Sequence, residues 1–152
     1  AGITSGTPNP TPTPNATSYY NKGEDYYNDG KYQLAIDEFT TAIRLNPSYT
    51  NAYMYRGIAY GSLGQTQRAI QDYDKAIQLE PDVARRYNNR GSSYDSLGQY
   101  QRAIQDYDQA IQLDPDFALA YDNRSIAYGR LGQYSQQRAD EAKACSLDSQ
   151  YC

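Results

Sequence analysis

Residues 67–82, QRAIQDYDKAIQLEPD, return as residues 101–116 with two changes, Lys75 to Gln109 and Glu80 to Asp114. A chain that repeats itself after 34 residues does not build one irregular core. Each unit must offer its neighbour the same face that the neighbour offers to the next. The period runs through most of the 152 residues. Pro47, Pro81 and Pro115 obey it, as do Gly30, Gly64, Gly98 and Gly132. So do Tyr19, Tyr53, Tyr87 and Tyr121, then Tyr26, Tyr60, Tyr94 and Tyr128, and finally Ala42, Ala76, Ala110 and Ala144. Four units follow, 16–49, 50–83, 84–117 and 118–151, preceded by an arm of residues 1–15. Hydrophobic residues make up only 39%, thin for one globular core but enough for an array in which each unit covers the next.

Each unit reads as two helices. Tyr53, Gly57, Tyr60 and Leu63 recur at helical spacing, and Gly64 supplies a left-handed residue to end the first helix. The second helix is expected from about Gln67 to Leu79, with Ala69, Ile70, Tyr73, Ala76 and Ile77 as its stripe and Pro81 as its stop. Ser48, Asp82 and Asp116 each follow a proline and are expected to cap the next helix. Gly57 and Ala69 are small, which lets the two helices approach closely.

The set Tyr53, Gly57, Tyr60, Ala69, Tyr73, Ala76 and Pro81 resembles the tetratricopeptide repeat family, whose 34-residue unit is a helix-turn-helix. The first and third units match at the same offsets, and the resemblance covers residues 16 to about 149. It implies an all-α, right-handed solenoid of four helix-turn-helix units. Two places depart from the family pattern: Tyr stands for its Trp, and Lys22, Arg56, Arg90 and Arg124 stand for its Leu. Sixteen residues after each of these cations lies an acid, Glu38, Asp72, Asp106 or Asp140. This spacing predicts a recurrent structural ion pair, because a catalytic centre does not usually recur once per unit.

Chemistry is poorly provided for. There is no His, so the usual general base and commonest metal ligand are missing. Asp72-Tyr-Asp74 and Asp106-Tyr-Asp108 place carboxylates two apart, which on a helix face different ways, and no calcium loop follows. No phosphate-cradling glycine loop is present. The chain therefore reads as non-enzymatic, with no cofactor and no metal site. A formal net charge of −4 without a basic cluster argues against nucleic acid. No apolar run reaches the length of a membrane span. The sequence begins at Ala1 rather than Met, which suggests processing or trimming.

Function is then sought where the repeat is silent or broken. In the family the first helices line an inner groove that often holds an extended peptide. The resemblance maps Tyr20, Asn21, Tyr27, Tyr55, Arg85, Asn88, Asn89, Asp95, Asp122, Asn123 and Arg130 to this face. Of the 18 Tyr, Tyr20, Tyr27 and Tyr55 are the three that the repeat does not require. They are expected to contribute more to binding than to folding, and with Asn and Asp they suit a peptide or a glycan. An ordinary polar solenoid surface is the competing reading. Chaperone-tail binders of the family clamp a terminal carboxylate with Lys and Asn. The matching first-unit places here are Tyr20 and Glu24, so that clamp is absent.

The fourth unit breaks the pattern, with Ser125 for Gly, Gln137 for Ala, Glu141 for an aromatic and Ser149 for Pro. A polar terminal cap explains this. Cys145 and Cys152 lie seven apart in the same region. One continuous helix would hold them about 10 Å apart, whereas a chain turning back after Leu147 would let them bond as an end staple. Free thiols or a bond to another copy are the alternatives. The arm, AGITSGTPNPTPTPN, carries no charge. Its alternating prolines make it extended, with a reach of roughly 45 Å. Its composition resembles O-glycosylated stalks, making Thr7, Thr11 and Thr13 candidate acceptors. Asn15-Ala-Thr17 and Asn123-Arg-Ser125 match the N-glycosylation pattern. The expected function is an extracytoplasmic or secreted scaffold that binds protein partners or copies of itself head to tail, with covalent glycans as a further possibility. The alternative is a monomeric receptor using the groove.

Overall fold

The computed structural model describes residues 15–152. Candidate acceptors Thr7, Thr11 and Thr13, and all of the arm but Asn15, lie outside the described residues. Eight α-helices and one short 3-10 turn follow in order. They are α1 (Ala16–Asn28), α2 (Tyr32–Leu45), α3 (Thr50–Ser62), α4 (Thr66–Leu79), α5 (Ala84–Ser96), α6 (Tyr100–Leu113), α7 (Ala118–Arg130) and α8 (Tyr134–Leu147), with the turn at Ser149–Tyr151. Each 34-residue unit holds one pair of helices. No strand occurs among the described residues, and each helix packs most heavily on its neighbours in the chain. The result is an all-α solenoid.

Within a pair, the tight fit is glycine against aromatic ring. A Cβ added to Gly23, Gly57 or Gly91 would come within 2.6, 2.7 or 2.8 Å of the ring of Phe39, Tyr73 or Tyr107. In the fourth unit both partners change together. Ser125 is buried where the glycine stood, because Glu141 brings no ring over it, and its hydroxyl donates to the Asp122 carbonyl at 2.7 Å. The two helices of each unit are joined by glycines at 30, 64, 98 and 132 with φ of 71–74°. At the second of these, Gln65 N–H closes on the Tyr60 carbonyl at 2.8 Å, capping the end of α3.

The links between units depart from expectation. Ser48, Asp82 and Asp116 do not cap the helices that follow. Those helices begin after Tyr49, Val83 and Phe117, whose side chains make no capping bond. The polar residue before the proline, or before Ser149 in the fourth unit, holds the linking turn instead. Asn46 Oδ1 accepts from Ser48 N–H at 3.1 Å, Asp114 from Asp116 at 3.2 Å, and Asp148 from Gln150 at 3.0 Å. Such short side chains reach two residues forward and hold a turn.

Glu80 occupies this place between the second and third units, and it pairs elsewhere. Its Oε2 accepts from Arg86 Nη2 at 2.6 Å, while its carbonyl accepts from Nη1 at 2.7 Å. Arg86 is buried where the second and fourth units have Ala52 and Ala120. The one Glu/Asp difference between the two repeated stretches thus buries a guanidinium. Hydrogen bonding to Arg86 holds the Glu80 carboxyl below its ordinary value of 4.5. A lowered folded-state value means stability that is full above the unfolded value and is lost as pH falls through the folded one. Glu80→Gln is therefore expected to destabilise at pH 7 and to lose this effect toward pH 3, as read by urea unfolding at several pH values. A pH-independent difference would exclude the pairing as its source.

The cations seen in the sequence do meet their acids. Arg56, Arg90 and Arg124 each grip Asp72, Asp106 or Asp140 through Nε and Nη2, all at 2.6–2.8 Å, and Lys22 reaches Glu38 at 2.6 Å. The third guanidinium nitrogen reaches back into the preceding unit, to Thr40 at 3.0 Å, Asp74 at 2.7 Å and Asp108 at 2.6 Å. Tyr rings one turn to either side flank each Arg, such as Tyr53 and Tyr60 at 5.7 and 5.9 Å from Arg56. Burial pushes the Asp72 carboxyl up, against the pull of Arg56. The Arg that replaces the family's Leu thus fastens three helices at each internal joint.

Candidate functional site

The first helices approach one another, α1 with α3, α3 with α5 and α5 with α7, more closely than the second helices do. That places the first helices on the inner curve. Two hollows open there. One, of about 230 Å³, is lined by Tyr20, Asn51, Met54, Tyr55, Ile58, Val83, Arg85 and Arg86. The other, of about 320 Å³, is lined by Ile58, Gly61, Thr66, Tyr73, Asn89, Ser92, Ser93 and Ser96. They share Ile58, so the groove runs from the first unit into the third.

The structure sorts the expected groove residues. Tyr55, Arg85 and Asn89 line the groove, and Asn21 and Arg130 are exposed. Tyr20 is a correction. It is only 9% exposed and packs against Phe39, Tyr49 and Tyr55 at ring separations of 5.8, 4.9 and 5.8 Å. Burial pushes its hydroxyl up, with Glu24 adding to the effect. Tyr20 is therefore a core residue that shows one edge to the groove, and its loss would cost stability. Tyr27 is half-buried, its ring 5.4 Å from that of Tyr32. Asn88 is also core, with its Oδ1 accepting from Asn123 Nδ2 at 3.0 Å. That bond occupies the nitrogen a glycan would take, and Asn123 lies within α7, so it is withdrawn as an acceptor. Asp95 and Asp122 are half-buried. Burial pushes both carboxyls up, Arg130 drawing Asp95 back and Glu141 adding to the rise at Asp122. Asn15 is exposed and caps α1, its Oδ1 accepting from Ser18 N–H at 3.0 Å.

Sequence reasoning missed the apolar floor, Met54 and Ile58. Leu119 and Ile126 of α7 are exposed at the register of Asn51 and Ile58, but Leu119 lines a separate hollow with Phe117, Leu147 and Tyr151. The available signal was an apolar residue on the first helix at a place the repeat does not use.

At the far end, Cys145 and Cys152 are bonded, with their Cα atoms 4.7 Å apart. Helix α8 stops at Leu147 and the 3-10 turn carries the tail back toward it. Cys145 stands at the register of Ile43, Ile77 and Ile111, which are half-buried at the internal joints. Tyr134 is 63% exposed on α8, at the register where Tyr32 and Tyr100 are half-buried. Among the described residues no group of three metal-ligating side chains comes together, and no helix is long and apolar enough to cross a membrane.

Family models of the tetratricopeptide repeat match residues 50–83 and 84–117, and another matches 106–139; a TPR repeat model matches 23–64. No curated protein matches the sequence. Among solved structures, a crystal structure of MamA is similar at 27% identity and a TM-score of 0.85, over 90% of this chain and 80% of that one. MamA from Desulfovibrio magneticus RS-1 shares the fold at 22% identity and a TM-score of 0.83, over 90% and 77%. The first TPR of Spaghetti (RPAP3), bound to the HSP90 peptide SRMEEVD, is similar at 26% identity and a TM-score of 0.75, over 77% and 93%.

Proposed function

The chain belongs to the tetratricopeptide repeat family, and from that premise we propose that it is a non-enzymatic interaction scaffold that joins copies of itself end to end outside the cytoplasm. The observation that carries the self-association is Tyr134. An aromatic 63% exposed at the open face of α8, in a register half-buried elsewhere, is a surface left for a further unit to cover. The ends of a solenoid differ, so a contact between them is heterologous and propagates unless the rotation closes. The bond between Cys145 and Cys152 supports a compartment that keeps disulfides oxidised. Glycans on Thr7, Thr11 or Thr13 would coat such an assembly, on the strength of the arm's composition.

A second reading rests on the groove. Tyr55, Met54 and Ile58 offer a flat, partly apolar floor for an extended peptide or glycan in a monomeric receptor. The similar RPAP3 domain, bound to a peptide, supports peptide over glycan.

Mass by light scattering separates the two. The intact chain is expected to exceed 17.1 kDa, and deletion of residues 1–15 to reduce its size if the arm bridges copies. A monomeric intact chain at high concentration would leave the groove receptor as the better account.

A further inference from the structure

We infer that the joint between copies is keyed by one charge pair, Arg138 of one copy against Asp25 of the next. This rests on the end-to-end reading above and gives it a chemical address. The internal joints supply the register. Arg90 reaches Asp74, and Arg124 reaches Asp108, so the middle of each second helix faces the middle of the following first helix. The two helices run in opposite senses there, so a step of one turn toward the start of the second helix is a step of one turn toward the end of the first. Four residues before Asp74 stands Ile70, and four after Arg90 stands Tyr94; the two belong to one buried cluster. Ile104 packs on the same cluster with Ala127, the residue before Tyr128. At every internal joint, then, Ile36, Ile70 or Ile104 faces the neighbourhood of Ala59, Ser93 or Ala127 and the Tyr beside it.

The two ends alter both halves of this contact. On α8 the isoleucine becomes Arg138, and on α1 the small residue becomes Asp25, followed by Tyr26. Both charged side chains are exposed, and neither forms an ion pair among the described residues. Laid in the internal register, the Arg138 guanidinium meets the Asp25 carboxylate with the Tyr26 ring alongside. That is the Arg–acid–Tyr grouping which fastens the internal joints, as Arg90 does with Asp74 beside Tyr94. The flanking places agree. Asp29 replaces Leu63, Leu97 and Leu131 and would lie opposite Tyr134, whose hydroxyl can donate to it. Ala142 stands where Asp74 and Asp108 stood, opposite Lys22, which already holds Glu38 and reaches no second acid among the described residues. A charge on each face keeps the free ends wet, and opposite signs select end against end over end against interior, where Arg138 would face Ala or Ser.

The test uses the full chain and four variants, Arg138→Glu, Asp25→Arg, the two combined, and Arg44→Glu as an exposed control with the same charge change away from the ends. Association is read by light scattering over a concentration series, with helicity and thermal unfolding confirming the fold. Each single end variant is expected to weaken association by roughly tenfold or more, since it sets two like charges face to face. The combined swap is expected to restore it, and Arg44→Glu to leave it unchanged. An assembling intact chain whose Arg138→Glu variant assembles equally well overturns the key alone, as does a swap that fails to rescue. Equal loss in Arg44→Glu also overturns it, showing an effect of net charge. An intact chain that never exceeds the monomer mass overturns the end-to-end reading as well.

Discussion

Arg90→Ala is expected to lower stability by roughly 3–5 kcal/mol, the cost of leaving a buried charge without its partner. Its partner Asp106 has a side chain only 8% exposed, and Arg90 supplies both bonds to it, at 2.8 and 2.6 Å. The same substitution severs the link back to Asp74 and so loosens the joint between the second and third units. Arg90→Met with Asp106→Leu is expected to recover most of the loss, because an apolar pair of similar volume leaves no charge stranded. Urea unfolding of the single and double variants checks this. A loss below about 1 kcal/mol for Arg90→Ala, the range of exposed pairs, would reduce the seam to surface decoration.

Tyr107→Ala is expected to cost about as much, roughly 3–5 kcal/mol, by emptying the space its ring fills over Gly91. Tyr107 is 2% exposed and sits at the centre of the third unit. Glu141→Ala, at the same register one unit later, is expected to change stability by less than about 0.5 kcal/mol, because Glu141 is exposed and covers no glycine. Repeat arrays can lose cooperativity, so the unfolding slopes must be compared with the midpoints. Equal losses at the two positions would show that the fourth unit is packed like the others and is not a polar end.

The parts of this molecule that were readable in the sequence are those the period multiplies. Gly91 and Tyr107 could be read because Gly23 with Phe39 and Gly57 with Tyr73 say the same thing, and the Arg–acid pairs because a spacing of sixteen recurs four times. Single events were less legible. The expected caps are absent, and Asn46 and Asp114 hold the linking turn across the proline instead, a role that a hydroxyl or carboxylate after it had looked equally suited to fill. Tyr20 was assigned to the groove by register, yet its burial comes from Tyr49 and Tyr55, 29 and 35 residues on. No local pattern announces that three tyrosines will share one place. Met54 and Ile58 escaped because an apolar residue on a helix reads as core unless the inner curve is already known.

The packing of each helix on its immediate neighbours in the chain also bears on how the protein is made. Once α2 has emerged from the ribosome, α1 has the ring of Phe39 to close on Gly23, and Tyr55 of the next unit covers that ring from the other side. Each following pair then docks on its neighbour and completes that neighbour's burial, as Tyr55 does for Tyr20 and Phe39. The search for partners never spans more than a few dozen residues, so the entropy of closing long loops hardly enters. The bond between Cys145 and Cys152 spans only the turn after α8, so it too is a local closure, made once the chain meets an oxidising compartment.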